Sequence, residues 1–135
     1  MSTANKVSTQ AKGDLLAIVE LGGYPDFTSV YQQAGYIVET SRSMRNAIKT
    51  LKKLKPAIIV AEFNFQSDFR DRTSSLESLL AVVQRMPDTR VIVFYEEEFA
   101  TQFQRVSSRF PIHKAIKFPV DVEELKAALW IFKKI

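Results

Sequence analysis

Residues 55–63 read Lys-Pro-Ala-Ile-Ile-Val-Ala-Glu-Phe, and they give the clearest indication of the fold. Its centre is continuously apolar, which is typical of a strand that is buried on both faces of a parallel sheet. Pro56 cannot continue a preceding helix, and it disfavours helical geometry at the residue before it. We therefore predict a central strand over Ala57 to Phe63, with the charged Glu62 close to its end.

Four other apolar runs have the length of strands, and segments with helical periodicity separate them. These runs are Leu15 to Leu21, Tyr36 to Glu39, Val91 to Tyr95 and Lys114 to Phe118. Strands that alternate with helices are typical of a parallel sheet with helical crossovers. The sequence therefore predicts an α/β fold with a five-stranded parallel sheet flanked by helices, in the flavodoxin-like topology.

The helix between the second and third strands is predicted to be amphipathic, with a basic outer face. Its apolar stripe is Met44, Ala47, Ile48 and Leu51. The basic residues on it and beside it are Arg42, Arg45, Lys49, Lys52, Lys53 and Lys55. The next helix is predicted over Leu76 to Arg85, with its N-terminal cap among Thr73, Ser74 and Ser75.

Two further helices follow the fourth and fifth strands. The first carries an aromatic and aliphatic stripe, which is better explained by packing on the sheet than by a ligand site: Phe99, Phe103, Val106 and Phe110. The second begins with Asp121 and Glu124 at the spacing of a capping box. Its predicted apolar stripe is Val122, Leu125, Leu129 and Phe132, and Trp130, Ile131 and Ile135 are apolar beyond it. We expect some of that extra surface to contact a partner or to fold back onto the domain.

Composition predicts one globular domain without disulfides. The chain has 135 residues, of which 46% are hydrophobic and 25% charged, and it has no cysteine. Residues 1–13 are predicted to be a flexible polar leader, and 14–135 the folded domain. Since no segment is typical of a signal peptide or a bilayer-spanning helix, we expect a cytoplasmic protein. The net charge of +4 falls short of a dense basic patch.

Three segments, in order, resemble the receiver domains of response regulators in two-component signal transduction. They are residues 34–40 (Ala-Gly-Tyr-Ile-Val-Glu-Thr), 55–62 (Lys-Pro-Ala-Ile-Ile-Val-Ala-Glu) and 118–125 (Phe-Pro-Val-Asp-Val-Glu-Glu-Leu). The third is similar to the family's ending Lys-Pro-Phe-Asp-x-Glu-Glu-Leu. The resemblance covers about residues 14 to 135 and implies the receiver fold.

The resemblance also implies a phosphorylation site that has been dismantled. A working receiver has an acidic pair after its first strand, an aspartate after the third, a hydroxyl after the fourth and a lysine after the fifth. The corresponding positions here are Glu20 with Leu21, Glu62, Tyr95 and Phe118, with Lys117 one residue before the lysine position. We therefore expect a pseudo-receiver that is no enzyme, binds no metal or cofactor and accepts no phosphoryl group.

Two alternatives to this interpretation stay open. A shift of the alignment by one residue would restore Lys117 to the lysine position, although it would not restore the aspartate. In the loop after the third strand, Asp68 or Asp71 could have taken over as the phosphoryl acceptor.

Other chemistry is less well supported by the sequence. Gly22-Gly23 lacks the spacing of a phosphate-binding loop. The only histidine, His113, has no cysteine or second histidine with which to form a metal site. The acidic run at residues 96–98 is expected to be a solvated turn that leads into a helix.

Two functions from different classes remain. The first is a protein-interaction module, which contacts a partner or a second copy through the fourth helix, the fifth strand and the fifth helix. Its candidate anchors are Arg105, Arg109, Trp130 and Ile131, since arginines and large aromatics dominate interfaces. The second is nucleic-acid binding through the basic helix between the second and third strands, which is the second helix of the predicted fold. We favour the first, because no aromatic residues interleave with those lysines and no recognised nucleic-acid motif accompanies them.

Overall fold

The computed structural model describes residues 13–21, 23–64 and 75–130. Several predictions concern residues outside these ranges. They are the leader up to residue 12, the alternative acceptors Asp68 and Asp71, the caps Thr73 and Ser74, and the apolar residues Ile131, Phe132 and Ile135.

Five parallel strands form one sheet in the order β2-β1-β3-β4-β5. The strands are β1 (Gly13–Ile18), β2 (Tyr36–Ser41), β3 (Ile58–Glu62), β4 (Arg90–Tyr95) and β5 (Lys114–Lys117). The predicted α/β fold is confirmed. The first strand was predicted over Leu15 to Leu21, but it begins two residues earlier and ends at Ile18, which leaves Glu20 and Leu21 in the segment that follows it.

Helices flank both sides of the sheet. They are α1 (Thr28–Gln33), α2 (Met44–Thr50), α3 (Ser75–Val83), α4 (Ala100–Ser107) and α5 (Val122–Leu129), with a 3-10 turn over Glu97–Phe99 before α4. Because Ser43 accepts a hydrogen bond from the Asn46 amide at 3.1 Å, it caps α2. The third helix was predicted to end at Arg85, but it ends two residues earlier.

The start of α5 was predicted correctly, but its capping geometry was not. Asp121 is the N-cap, and its carboxylate accepts from the Glu123 amide at 2.9 Å. The Glu124 carboxylate forms a salt bridge with Lys114 of β5 at 3.1 Å instead of capping the helix. This ion pair connects α5 to the edge strand of the sheet. The buried stripe also differs from the prediction: Val122 is 37% exposed, and Ala128 is buried with Leu125 and Leu129.

Two cores lie on opposite faces of the sheet, because side chains alternate along each strand. The α2–α4 face, covered by α2, α3 and α4, includes Ile59 and Ala61 of β3. The α1/α5 face, covered by α1 and α5, includes Ile58 and Val60. Since the alternation continues to the end of β3, Glu62 falls on the α1/α5 face.

The aromatic stripe around α4 packs on the sheet as predicted. Phe103 and Val106 are buried in the core of the α2–α4 face, and Phe99 and Phe110 pack against it. The packing interpretation is therefore confirmed. In the part of the chain that is described, none of the helices has the length and apolar character needed to cross a bilayer.

Candidate functional site at the carboxyl end of the sheet

Glu62 is a buried carboxyl group at the end of the central strand, with only 4% of the residue exposed. Burial raises the pKa of Glu62 above its ordinary value. Hydrogen bonding from the Asn64 side chain and from the backbone of Leu21 and Glu20 opposes this increase, whereas the Glu20 charge adds to it. Glu62 Oε1 has no hydrogen-bond partner among the described residues. The site therefore contains a buried carboxyl group whose hydrogen bonds only partly offset the free energy cost of its burial.

The position of the acidic pair contributes one carboxylate to this site. Asn64 Nδ2 donates a long hydrogen bond of 3.5 Å to Glu20 Oε1. Leu21 is 67% exposed, and only its backbone acts on Glu62. The structure thus brings Glu20 near Glu62 and leaves the Leu21 side chain in solvent.

Tyr95, at the predicted hydroxyl position, lies on the other face of the sheet. Its ring stacks on Phe103 with centroids 4.7 Å apart and planes 15° apart. Phe63 contacts the same Phe103 ring at 5.4 Å. In the sheet register, Phe94 is the partner of Glu62. Because Tyr95 is the next residue, the alternation of the strand directs it away from Glu62.

Neither residue near the predicted lysine position supplies a cation to Glu62. Phe118 is 42% exposed, and its ring meets Tyr24 edge to face at 5.4 Å. Lys117 pairs with Glu97 at 2.8 Å, and the hydrogen bond and charge of Glu97 raise the pKa of Lys117. The Lys117 ammonium group is therefore engaged by the acidic turn before α4.

Tyr24 is the residue that the sequence interpretation missed. Its ring contacts both Phe94, at 5.3 Å, and Phe118. Burial raises the pKa of Tyr24 to about 12, and the charges of Glu96 and Glu62 add to the effect. The Tyr24 hydroxyl is buried and has no hydrogen-bond partner among the described residues. The only signal in the sequence was an aromatic residue directly after the glycine pair.

A cavity of about 430 Å³ opens beside Glu62 on the α1/α5 face. Its aromatic lining consists of Tyr24, Phe27, Tyr31 and Phe94. Asp26 and Arg42, which are both exposed, also line it. Asp26 is held by Thr28, whose hydroxyl and amide donate to it at 2.6 and 2.9 Å. The cavity therefore combines apolar walls, two incompletely bonded polar groups and charged residues.

The donor set does not fit the magnesium ion that the receiver resemblance implies. Magnesium requires several oxygen ligands in near-octahedral geometry. Within residues 13–21, 23–64 and 75–130, no three acidic, histidine or cysteine side chains are grouped as a metal site requires. Leu21 stands at a position where the receiver resemblance implies a second carboxylate, and Glu62 is desolvated. His113 Nε2 lies 3.0 Å from the Ala128 carbonyl, which gives the only histidine a packing contact with α5.

The candidate interface residues do not form one cluster. Arg109 pairs with Glu77 of α3, and its guanidinium lies 5.7 Å from the Phe110 ring. Arg105 is exposed on α4. Trp130, 60% exposed, follows α5 and so belongs to the other side of the sheet. Ile131 lies outside the described residues.

The basic residues of the alternative interpretation all reach solvent. Arg42, Arg45, Lys49, Lys52, Lys53 and Lys55 are exposed on α2 and the segments on either side of it. They form a positive surface at one edge of the sheet, where β2 is the edge strand.

Receiver domains are among the solved structures that resemble this chain. A response regulator receiver domain protein from Clostridium thermocellum has a TM-score of 0.67 at 11% identity, over 86% of this chain and 90% of that one. The chemotaxis response regulator CheY4 of Vibrio cholerae has a TM-score of 0.66 at 20% identity, over 87% and 95%. The receiver domain of NtrX from Brucella abortus has a TM-score of 0.68 at 16% identity, over 86% and 98%.

These similarities establish the flavodoxin-like receiver fold, and at such identities they establish the fold alone. No protein-family model matches the sequence, and no curated protein matches it.

Proposed function

We propose that this chain is a receiver-like signalling module that acts through protein–protein contacts and accepts no phosphoryl group. The observation that carries the proposal is the state of Glu62, which is 4% exposed at the acceptor position and has a raised pKa. A phosphoryl donor must meet an ionised carboxylate, and burial of Glu62 opposes its ionisation.

The groups around Glu62 support the same conclusion. Catalysis of phosphoryl transfer depends on charge stabilisation and positioning, for which a metal ion and a lysine are suited. Leu21 removes one metal ligand, and Phe118 occupies the lysine position. Lys117 is paired with Glu97. The residues at the predicted metal and lysine positions therefore supply no cation that would stabilise a phosphoryl group during transfer to Glu62.

The arrangement of Tyr95 supports a domain that does not switch. A switch requires an element with two arrangements of similar free energy, one of which the signal favours. Tyr95 is stacked on the buried Phe103 and lies across the sheet from Glu62. A change of charge at Glu62 therefore has no direct contact through which to move Tyr95.

The proposed contact surface comprises α4, β5 and α5. Trp130 is the strongest candidate anchor, because it is a large aromatic residue that is 60% exposed and tryptophan is enriched among the residues that dominate binding. Arg105 is exposed on α4, whereas Arg109 already pairs with Glu77. Since α4 and α5 lie on opposite sides of the edge strand β5, we propose Trp130 and Arg105 as the main contacts on either side of that edge, with Arg109 orienting α4 against α3.

Incubation with acetyl phosphate and magnesium, followed by intact-mass spectrometry, tests the absence of phosphorylation. We expect no mass increase, while a phosphorylatable receiver treated in parallel acquires one phosphoryl group. Titration with beryllofluoride and magnesium should leave the amide resonances of Glu20, Glu62 and Tyr95 unchanged. A stable phosphoryl adduct would contradict the proposal, and peptide mapping would then distinguish Glu62 from Asp68 and Asp71.

Sedimentation analysis of self-association and affinity capture with the purified chain test the contact surface. Trp130→Ala should weaken association by about tenfold, as expected for removal of a central aromatic anchor. Ile37→Ala is a matched control, because Ile37 is also 60% exposed but lies on the edge strand β2. Equal effects of the two substitutions would argue against this surface.

The alternative function is nucleic-acid binding through the six exposed basic residues around α2. Their exposure favours it, because phosphate contacts require accessible cations. It predicts affinity for duplex DNA that falls steeply with salt and decreases when Lys49 and Lys52 are replaced by glutamine. Binding that is insensitive to salt and lost in Trp130→Ala would instead support the protein-interaction proposal.

A further inference from the structure

The cavity beside Glu62 has the size and lining of a small-molecule site. Its volume of about 430 Å³ lies within the range of roughly 300 to 1,000 Å³ that ligand pockets occupy. Phe27, Tyr31 and Phe94 line it with aromatic rings, and Val60 adds an aliphatic wall. Such walls suit a flat, largely apolar body.

Two buried polar atoms belong to residues that line this cavity. They are Glu62 Oε1 and the Tyr24 hydroxyl, and neither has a hydrogen-bond partner among the described residues. Buried polar groups in native proteins are rarely left without partners, because each one costs free energy. An ionised carboxylate can only accept hydrogen bonds, whereas the hydroxyl can donate or accept. A ligand that satisfies both atoms must present hydrogen-bond donors towards Glu62.

The charges around the cavity select among donor-bearing ligands. The Glu20 carboxylate acts on Glu62, and Glu96 and Glu62 both act on the Tyr24 hydroxyl. Asp26 lies among the lining residues, where Arg42 is the one basic side chain. The Arg42 charge helps to lower the pKa of Asp26, after the larger effect of the Thr28 hydrogen bonds. The acidic groups outnumber the basic one, so the field favours a cation.

We propose that this cavity binds a small planar organic cation with paired N–H donors, such as an amidine or a protonated amino-heterocycle. One N–H group donates to Glu62 Oε1 and another to the Tyr24 hydroxyl, the two buried atoms without partners among the described residues, and the bond to the ionised carboxylate is the stronger of the two. Its ring lies among Phe27, Tyr31 and Phe94, where the ring faces also attract a cation. Tyr24 closes the cavity from the segment after β1 and bonds to the same ligand.

The ligand site shares Glu62 with the function proposed above, but each can fail without the other. The site requires no phosphoryl transfer and no protein partner, because it depends only on Glu62, Tyr24 and the walls of the cavity. A negative phosphorylation experiment would leave it unaffected, and its own failure would leave the interaction proposal unaffected.

Amide NMR of the full-length ¹⁵N-labelled chain, titrated with benzamidine and with 2-aminobenzimidazole, tests the site. We expect saturable shifts of the amides of Ala17, Val19, Phe27, Tyr31 and Ala61, which line the cavity. Benzoate is the control ligand, because it keeps the ring and reverses the charge. The proposal is overturned if neither cation produces saturable shifts at these residues, or if benzoate binds as tightly.

Substitution of Glu62 then separates the proposed pairing from general affinity for cations. Glu62→Gln should weaken benzamidine binding by about tenfold, because it removes the charge-assisted hydrogen bond. Glu123→Gln removes an exposed carboxylate on α5 and should leave the affinity unchanged. Tyr24→Phe, which deletes only the hydroxyl, should weaken binding by a smaller factor. Unchanged affinity in both Glu62→Gln and Tyr24→Phe would exclude the cavity as the binding site.

Discussion

The two faces of the sheet differ at the carboxyl end, although the same strands build both. On the α2–α4 face, the Phe103 ring contacts both Tyr95 and Phe63 in an aromatic cluster. On the α1/α5 face, Glu62 and Tyr24 border a cavity of about 430 Å³ with polar atoms that lack partners. The aromatic cluster stabilises the fold, and the opposite face borders the cavity in which we propose a ligand site. Successive residues of a strand point to opposite faces of the sheet, so residues one position apart belong to these two different environments.

Replacement of Phe103 tests the α2–α4 face and has the largest expected effect. Phe103 is 5% exposed and contacts both Phe63 and Tyr95, so Phe103→Ala should destabilise the protein by about 3–5 kcal/mol. Phe118→Ala is the matched control, because the same side chain at 42% exposure should cost about 1 kcal/mol or less. Urea denaturation measures both. Similar losses would mean that the Tyr95 cluster is no more tightly packed than the α1/α5 face.

Replacement of Glu62 tests the α1/α5 face, with an effect of the opposite sign. Glu62→Gln should stabilise the protein by about 1–2 kcal/mol at neutral pH, because a buried and incompletely paired charge is removed. The gain should depend on pH. The folded state raises the pKa of Glu62 above its ordinary value of 4.5. The free energy cost of burying the charge is therefore absent below the unfolded-state pKa, where the carboxyl group is protonated in both states, and it is largest above the folded-state pKa.

The stability difference between Glu62→Gln and the parent chain should therefore grow as the pH rises from about 4 to 7. The groups that act on Glu62 are Glu20, Asn64 and the Leu21 backbone. Denaturation midpoints at a series of pH values measure the difference. A gain that is the same at every pH would show that the Glu62 charge is not desolvated.

Replacement of two tyrosines on the α1/α5 face has the smallest expected effects, and it compares a hydroxyl group that has a hydrogen-bond partner with one that has none among the described residues. The Tyr36 hydroxyl donates to the Leu129 carbonyl at 2.6 Å, so Tyr36→Phe should cost about 1 kcal/mol. The Tyr24 hydroxyl is buried without a described partner, so Tyr24→Phe should leave stability unchanged or raise it by up to about 1 kcal/mol. Thermal unfolding distinguishes them. A loss in Tyr24→Phe as large as that in Tyr36→Phe would reveal that the Tyr24 hydroxyl is already satisfied.

Particular residues explain how far the sequence could predict this structure. The apolar run before Glu62 predicted the central strand, because only a strand buried on both faces is apolar at every position. The stripe through Phe103 and Val106 predicted how α4 packs, because helical spacing places both on one side. The α5 capping box was wrong, since Glu124 has a competing partner in Lys114, which is distant in sequence.

The candidate site was only partly predictable for the same reason. The positions of Glu20 and Glu62 were assigned from the resemblance to receiver domains, and parallel strands bring their carboxyl ends to one edge of the sheet. Tyr95 was assigned to the same site although it lies on the α2–α4 face. Tyr24 was overlooked, because its importance comes from contacts with Phe94 and Phe118, which lie far away along the chain.

The sequence alone did not locate α1 or the exact ends of β1 and β2, but it predicted the order of the five strands and of the four helices that follow β2. These depend on local periodicity, chain stiffness at proline and the burial of apolar runs. Only the tertiary structure decided which face each strand end serves, that Glu62 is buried beside a cavity, and that Lys117 pairs with Glu97. The physical reason is that desolvation and charge pairing depend on neighbours brought together by the fold, and those neighbours are not adjacent in the sequence.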